Sequence, residues 1–144
     1  TASNRFVRQY GGSGVHHIAL STTSMRDTST ALHQAKSPVL PIPSNYYRDL
    51  AARFDLPAQT HAWMQEHHIL FDQDSHGDFH QLYTQPNHKA FFIELVQREG
   101  YQGLGAPNAF VRVTAQQRLE ADLLASDING DTDNTRRDTG ERPA

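Results

Sequence analysis

The sequence predicts an α+β fold in the order β-α-β-(two helical inserts)-β-β-β, and three observations carry that prediction. Ala90 to Arg98 reads A-F-F-I-E-L-V-Q-R, an apolar run rich in aromatic and β-branched residues, bounded by Gln85-Pro86-Asn87-His88-Lys89 and Gly100. Those are the marks of a buried strand. Val15 to Ser21 (V-H-H-I-A-L-S) is a second such run, and the stretch between the two carries apolar residues at helical spacing. At 144 residues the chain is long enough for one domain with a real core.

Composition excludes several functions. A formal charge of −3 and a pI near 6.3 give no electrostatic case for binding nucleic acid or a membrane surface. No apolar run approaches the 18 residues of a membrane span, so a soluble, cytoplasmic protein is expected. The absence of cysteine excludes disulfides, thiolate metal sites and Cys nucleophiles. Nine histidines are the one compositional excess, so any transition-metal site is built from His and carboxylate. The first residue is Thr1 rather than Met, as in a piece of a longer protein.

Thr1 to Tyr10 holds a short amphipathic turn (Phe6, Val7, Tyr10) that Gly11-Gly12-Ser13-Gly14 breaks. In the strand 15–21, alternation puts His17, Ala19 and Ser21 on one face and His16, Ile18 and Leu20 on the other, with Ile18 and Leu20 the helix-packed side. Ser24 is placed to cap a helix over Met25 to Ala35, which Pro38 ends. Val39 to Ile42, between prolines, suits an edge strand. Ser44 caps a helix over Asn45 to Phe54 with Tyr46, Tyr47, Leu50 and Phe54 as its core stripe, and another starts at Pro57 and runs to about His67. Ile69 to Asp72 and Asp78 to Thr84 form a hairpin turning at Gly77. After the last strand, Tyr101 to Asn108 is a Gly-rich loop, followed by a helix to about Leu124. Residues 1–124 are read as the folded module and 125–144 as a disordered polar tail. Within the tail, Asp127, Asn129, Asp131 and Asp138 fall at calcium-loop spacing, but Thr132 stands where the loop's Gly belongs.

Glu94 carries the chemical question. An ionised carboxylate among Phe92, Ile93, Leu95 and Val96 needs a cation, a proton or a partner, or else a solvated face. His17 on an inward strand face and Glu94 on a later strand supply two of the three ligands of a 2-His-1-carboxylate triad on Fe(II). They equally suit a satisfied core histidine and its carboxylate partner, and both readings stay open on the residues alone. Elsewhere, His67-His68 sits at a helix end, His76 in a turn, and His80 opposite Gln81, each more simply structural.

Several segments together resemble one family. G-V-H-H-I-A-L at 14–20, L-P-I-P-S-N-Y-Y at 40–47, H-Q-L-Y-T at 80–84, F-F-I-E-L-V-Q-R at 91–98 and G-L-G-A-P-N at 103–108 occur in the order and spacing of 4-hydroxyphenylpyruvate dioxygenases. Over roughly residues 5 to 120 the chain resembles that family's last βαβββ module, in the vicinal-oxygen-chelate (glyoxalase/dioxygenase-like) superfamily. The resemblance implies that the first strand lies beside the last, bringing His17 and Glu94 together as ligands of Fe(II) or another divalent metal. It puts Gln81, His16 and Asn108 on the substrate side and makes the helix after the 103–108 loop a gate. It further implies a small-molecule 2-oxo acid and dioxygen as reactants, with decarboxylation and ring hydroxylation as the chemistry. The triad's other His belongs to a preceding module.

This chain departs from that family at three points. The family's residue before the ligand His is Gln, and here it is His16. The late loop loses the aromatic after Asn108, where Ala109 stands. Y-Y-R-D-L-A-A-R-F-D-L and A-P-N-A-F-V-R-V-T-A-Q-Q-R look more like the dioxygenase-like C-terminal half of bacterial 3-dehydroshikimate dehydratase fusions. Two functions follow as expectations: a module of an Fe(II) 2-oxo-acid dioxygenase, or a metal-binding module of such a dehydratase fusion without oxygenase turnover. In either, the open sheet face is expected to pair with a preceding βαβββ module or a second copy.

Overall fold

In the computed structural model, which describes residues 2–87 and 90–134, four strands form one open sheet. They are β1 (His17–Ser21), β2 (Leu70–Asp74), β3 (Gly77–Tyr83) and β4 (Phe92–Glu99), in the spatial order β1-β4-β3-β2. β1 runs parallel to β4, and the β2-β3 and β3-β4 pairs are antiparallel. The first strand therefore does lie beside the last. The helices are α1 (Ala2–Tyr10), α2 (Met25–Gln34), α3 (Ser44–Arg53), α4 (Ala58–Glu66) and α5 (Ala106–Asn134).

The local signals act largely as read. Ser24 caps α2, its hydroxyl oxygen accepting from the Asp27 N–H at 3.2 Å. Gly11 and Gly12 end α1, both N–H groups donating to the Val7 carbonyl at 3.1 and 3.0 Å. That segment is a full helix rather than a turn, because Phe6 is buried and stacks on Tyr10. The hairpin is tighter than expected, with β2 reaching Asp74, whose carboxylate accepts from the His76 and Gly77 N–H groups. Ser44 opens α3 without a side-chain cap, behind Pro43.

Three expectations are corrected. Val39 to Ile42 is not a strand. It makes a single bridge, Val39 to Thr84, because Pro38, Pro41 and Pro43 leave too few donors for a ladder. Ile18 and Leu20 are not packed under a helix, being 46% and 48% exposed. α2 lies over β4 instead, where the Met25 N–H donates to the Gln97 side chain, so the edge strand stays open. α5 does not end near Leu124 but continues to Asn134, since each further residue of a formed helix adds a hydrogen bond without a new nucleus. The calcium-loop spacing at Asp127 to Asp131 therefore falls on helix, while Asp138 and the rest of 135–144 lie outside the described residues.

The sheet has two differently covered faces. Against one lie α2 and α4, with His80 packed between Phe71 and Trp63 at 5.0 and 5.9 Å. Against the other lies α5, which reaches it through Gly105. There φ is +65°, and a Cβ would sit 2.7 Å from Gln81 Oε1 and 2.6 Å from the Phe79 ring. Glycine alone lets the chain turn so close to β3.

Candidate metal centre

His17, Glu94, Gln81 and Tyr83 share the α5-facing side of the sheet because their registers match: Ala19 pairs with Glu94, Tyr83 with Glu94, and Gln81 with Val96. His17 Nε2 and Glu94 Oε2 stand 3.7 Å apart. The His17 ring lies flat on Phe92, centroids 5.0 Å apart and planes 4° from parallel, which fixes its direction. Glu94's other oxygen is committed. Oε1 accepts from Gln81 Nε2 at 2.7 Å and from the Tyr83 hydroxyl at 3.2 Å. The carboxylate thus has one oxygen held by the protein and one turned to His17.

That held oxygen ends a buried chain of amides and phenols. Gln81 Oε1 accepts from Asn108 Nδ2 at 2.8 Å, and Asn108 Oδ1 accepts from the Tyr46 hydroxyl at 3.1 Å. The Tyr46 oxygen in turn accepts from the Phe71 N–H at 2.8 Å. Burial pushes the Tyr46 hydroxyl up to about 12. Burial and then the Glu94 charge push Tyr83 up as well. Both phenols are therefore neutral donors at neutral pH.

The donor set fits a divalent cation. Metal bonds of about 2.1 Å to an imidazole nitrogen and a carboxylate oxygen span a 3.7 Å gap between the donors. Gln81 and Tyr83 supply the outer hydrogen bonds that orient a ligand carboxylate. Among the described residues no group of three or more His, Cys, Asp or Glu comes together, so His17 and Glu94 stand as a pair with no third such residue beside them.

Of the residues singled out in the sequence, His17, Glu94, Gln81 and Asn108 meet, while His16 touches only the His17 ring, edge-on with centres 5.7 Å apart. His16 precedes β1, lies tilted against Phe6 and edge-on to Phe92 with ring centres 4.7 and 5.1 Å away, and lines a cavity of about 390 Å³ between α1 and α5. Burial, then Arg112, then His17 hold its pKa below the usual imidazole value. His68 accepts the Ile42 N–H at 3.2 Å, and exposed His76 sits in the β2-β3 turn. Sequence reasoning missed two residues. Tyr46 reads as a core tyrosine, and its hydroxyl role is invisible without the Asn108 contact. Arg112, on the inner side of α5, has its guanidinium carbon 5.0 Å from the Phe92 ring centre and 5.8 Å from that of Tyr83.

The four-stranded open sheet with its helices is a βαβββ module of the vicinal-oxygen-chelate type. Homologues of this chain include 3-dehydroshikimate dehydratases and 4-hydroxyphenylpyruvate dioxygenases. It is 39% identical over 123 residues to the 3-dehydroshikimate dehydratase of Pseudomonas putida, covering 84% of this chain and 19% of that protein. It is 38% identical over 132 residues to the 4-hydroxyphenylpyruvate dioxygenase of Caenorhabditis briggsae, covering 85% and 34%. Among solved structures, a xylose isomerase-like TIM barrel/4-hydroxyphenylpyruvate dioxygenase fusion protein superposes with a TM-score of 0.71 at 40% identity, over 75% of this chain and 18% of that one. A variant of 4-hydroxymandelate synthase from Streptomyces coelicolor gives 0.72 at 25%, over 81% and 34%. The chain thus spans 19% to 34% of the length of these curated relatives. No protein-family model matches it, and among the described residues no helix is long and apolar enough to cross a membrane.

Proposed function

We propose that this chain is the metal-holding module of a 4-hydroxyphenylpyruvate dioxygenase-like, Fe(II)-dependent 2-oxo-acid dioxygenase. The observation that carries the reading is the 3.7 Å approach of His17 Nε2 to Glu94 Oε2, with Oε1 already held by Gln81 and Tyr83. His17 and Glu94 would hold the metal, which would supply the oxidative chemistry on a bound 2-oxo acid and dioxygen. The chain's own residues do the rest. Phe92 sets the imidazole plane, Gln81 and Tyr83 orient the carboxylate, and α5 covers the inner part of the face against water. Because both ligands must be deprotonated, metal affinity falls as pH falls.

A second reading has its own support in the 39–40% identity to a 3-dehydroshikimate dehydratase and to the barrel/dioxygenase fusion. In that setting the module would bind metal and mediate assembly without oxygenase turnover. Both readings put a third metal donor and the face's remaining cover on a preceding βαβββ module or a second copy. We take residues 1–124 as the folded module and 125–144 as a polar extension whose first ten residues prolong α5.

The test uses the intact parent protein. His17→Ala and Glu94→Ala should each abolish bound iron in elemental analysis. Full occupancy in Glu94→Ala would remove that residue from the site. Oxygen uptake with 4-hydroxyphenylpyruvate separates the two readings, since the dioxygenase consumes oxygen and the fusion module does not.

A further inference from the structure

The cavity of about 390 Å³ between α1 and α5 has neither His17 nor Glu94 among its described lining residues. Most of its wall is apolar: Phe6 from α1, Val113, Leu119 and Leu123 from α5, and Pro86 and Ala90 from the segment before β4. Close-packed interiors leave few voids larger than a water molecule, and apolar walls give water too few partners to settle. A cavity of about 150 Å³ already holds benzene, so this one is wide enough for two rings. Its polar groups are few. Among the described residues Arg5 and Glu120 are its only Lys, Arg, Asp or Glu, and they offset each other. Arg5 Nη1 meets Glu120 Oε2 at 3.3 Å, and Gln9 Nε2 donates to Glu120 Oε1 at 2.9 Å, so the pair also clasps α1 to α5. Gln116 is different. Its Oε1 accepts from Arg112 at 2.9 Å, which sets the direction of the amide, while its Nε2 has no hydrogen-bond partner. An unmatched donor is costly, so this one marks where an acceptor belongs.

We propose that this cavity is a second ligand site, which takes a neutral, ring-bearing apolar molecule with one hydrogen-bond acceptor for the Gln116 amide. Neutrality follows from the paired Arg5 and Glu120, since an ion entering beside them would lose water and find no charge left to balance it. A ring suits the wall because Phe6 and His16, tilted at 46° to one another, offer an aromatic corner at one end. The single acceptor answers the single unmatched amide. The site differs in kind from the metal centre, where a cation on His17 and Glu94 would draw an anionic oxygen. The two adjoin only where the His16 ring meets the His17 ring edge-on, and the inference stands without the metal reading.

The test titrates the full chain with 1-indanone and with indane, the same two-ring skeleton without the carbonyl. Binding is followed by calorimetry and by methyl and side-chain amide chemical shifts. Both compounds should shift the methyl signals of Val113, Leu119 and Leu123, and 1-indanone alone should move the Gln116 amide. 1-Indanone should bind about fivefold more tightly, the worth of one added hydrogen bond. Gln116→Leu should erase that advantage while leaving indane affinity unchanged. Leu123→Arg, at a position 56% exposed, should weaken both compounds alike and preserve their ratio. Binding of neither compound, or equal affinity for the two, overturns the inference. So does an advantage that survives Gln116→Leu, and so does indifference of both compounds to Leu123→Arg. Shifts centred on Gln81 and Asn108 would put the compounds in the metal centre and overturn it as well.

Discussion

Replacing Asn108 with alanine tests the buried chain that ends on Glu94. The variant removes the Nδ2 donor that Gln81 Oε1 accepts at 2.8 Å. Gln81 is 3% exposed, so water cannot replace that donor. Leaving a buried acceptor unmatched costs about 1–3 kcal/mol. At the other end no new orphan appears, because the Tyr46 hydroxyl still has the Phe71 carbonyl at 3.1 Å. We expect a loss of about 2 kcal/mol, which for a domain of this length corresponds to roughly 7 °C in Tm. Guanidinium chloride unfolding gives the free energy directly. The sharper measurement is a double-mutant cycle with Gln81→Leu, which removes the acceptor itself. In that background Asn108→Ala should cost about 1–2 kcal/mol less. Equal cost in both backgrounds would refute the link between the two side chains, whatever the single-variant values.

Two further outcomes follow from burial. Burial holds both His68 and His80 below the ordinary imidazole value of 6.5. The unfolded chain therefore takes up protons that the fold refuses, and stability should fall as pH drops below 6.5. Asp74 acts only below 3.8, so a drop in the urea midpoint between about pH 7.5 and about pH 5 reports histidine. His80→Phe, which keeps the packing on Phe71 and Trp63, should flatten the drop, and an equally steep profile would clear His80. The open β1 edge gives the second. Val15, Ile18 and Leu20 are exposed there, so the chain should self-associate with rising concentration in sedimentation. Leu20→Lys should shift it to monomer, and a wild-type chain that stays monomeric throughout would exclude this edge as a contact.

How much of this was legible depended on whether a residue's task was local. Ser24, Gly11 and the hairpin turn act within a few residues of themselves, so their chemistry could be read from neighbours in the chain. The Val39–Ile42 segment misled because residue type suggests a strand, whereas its prolines decide how many ladder bonds can form. Ile18 and Leu20 misled for the opposite reason. Alternation assigned them a face correctly, but only the placement of α2 over β4 decides that nothing covers them. His17 and Glu94 could be paired because a resemblance supplied the strand order, not because spacing did. Tyr46 and Arg112 had no such guide. Each contributes its tip, a hydroxyl or a guanidinium, to a partner more than sixty residues away or on another element, and apolar periodicity describes only the stem.

The same geometry says from which side the centre would be completed. Glu94 is walled by Gln81 and Tyr83 on β3, and that wall is backed by Asn108 on α5. Its side chain is 12% exposed, whereas that of His17 is 41% exposed and lies on the sheet's edge strand. A further donor arriving over β3 would have to displace a buried amide network costing several kcal/mol to break. One arriving past β1 meets an open imidazole and unpaired strand edge. The approach beyond β1 is therefore the inexpensive one, and the apolar side chains of Ile18 and Leu20 on that same strand are what an incoming partner would cover. Metal completion and burial of the β1 edge should then be a single event. Bound metal should rise with association, and Leu20→Lys, though it touches neither ligand, should weaken metal binding in parallel with the loss of the larger species.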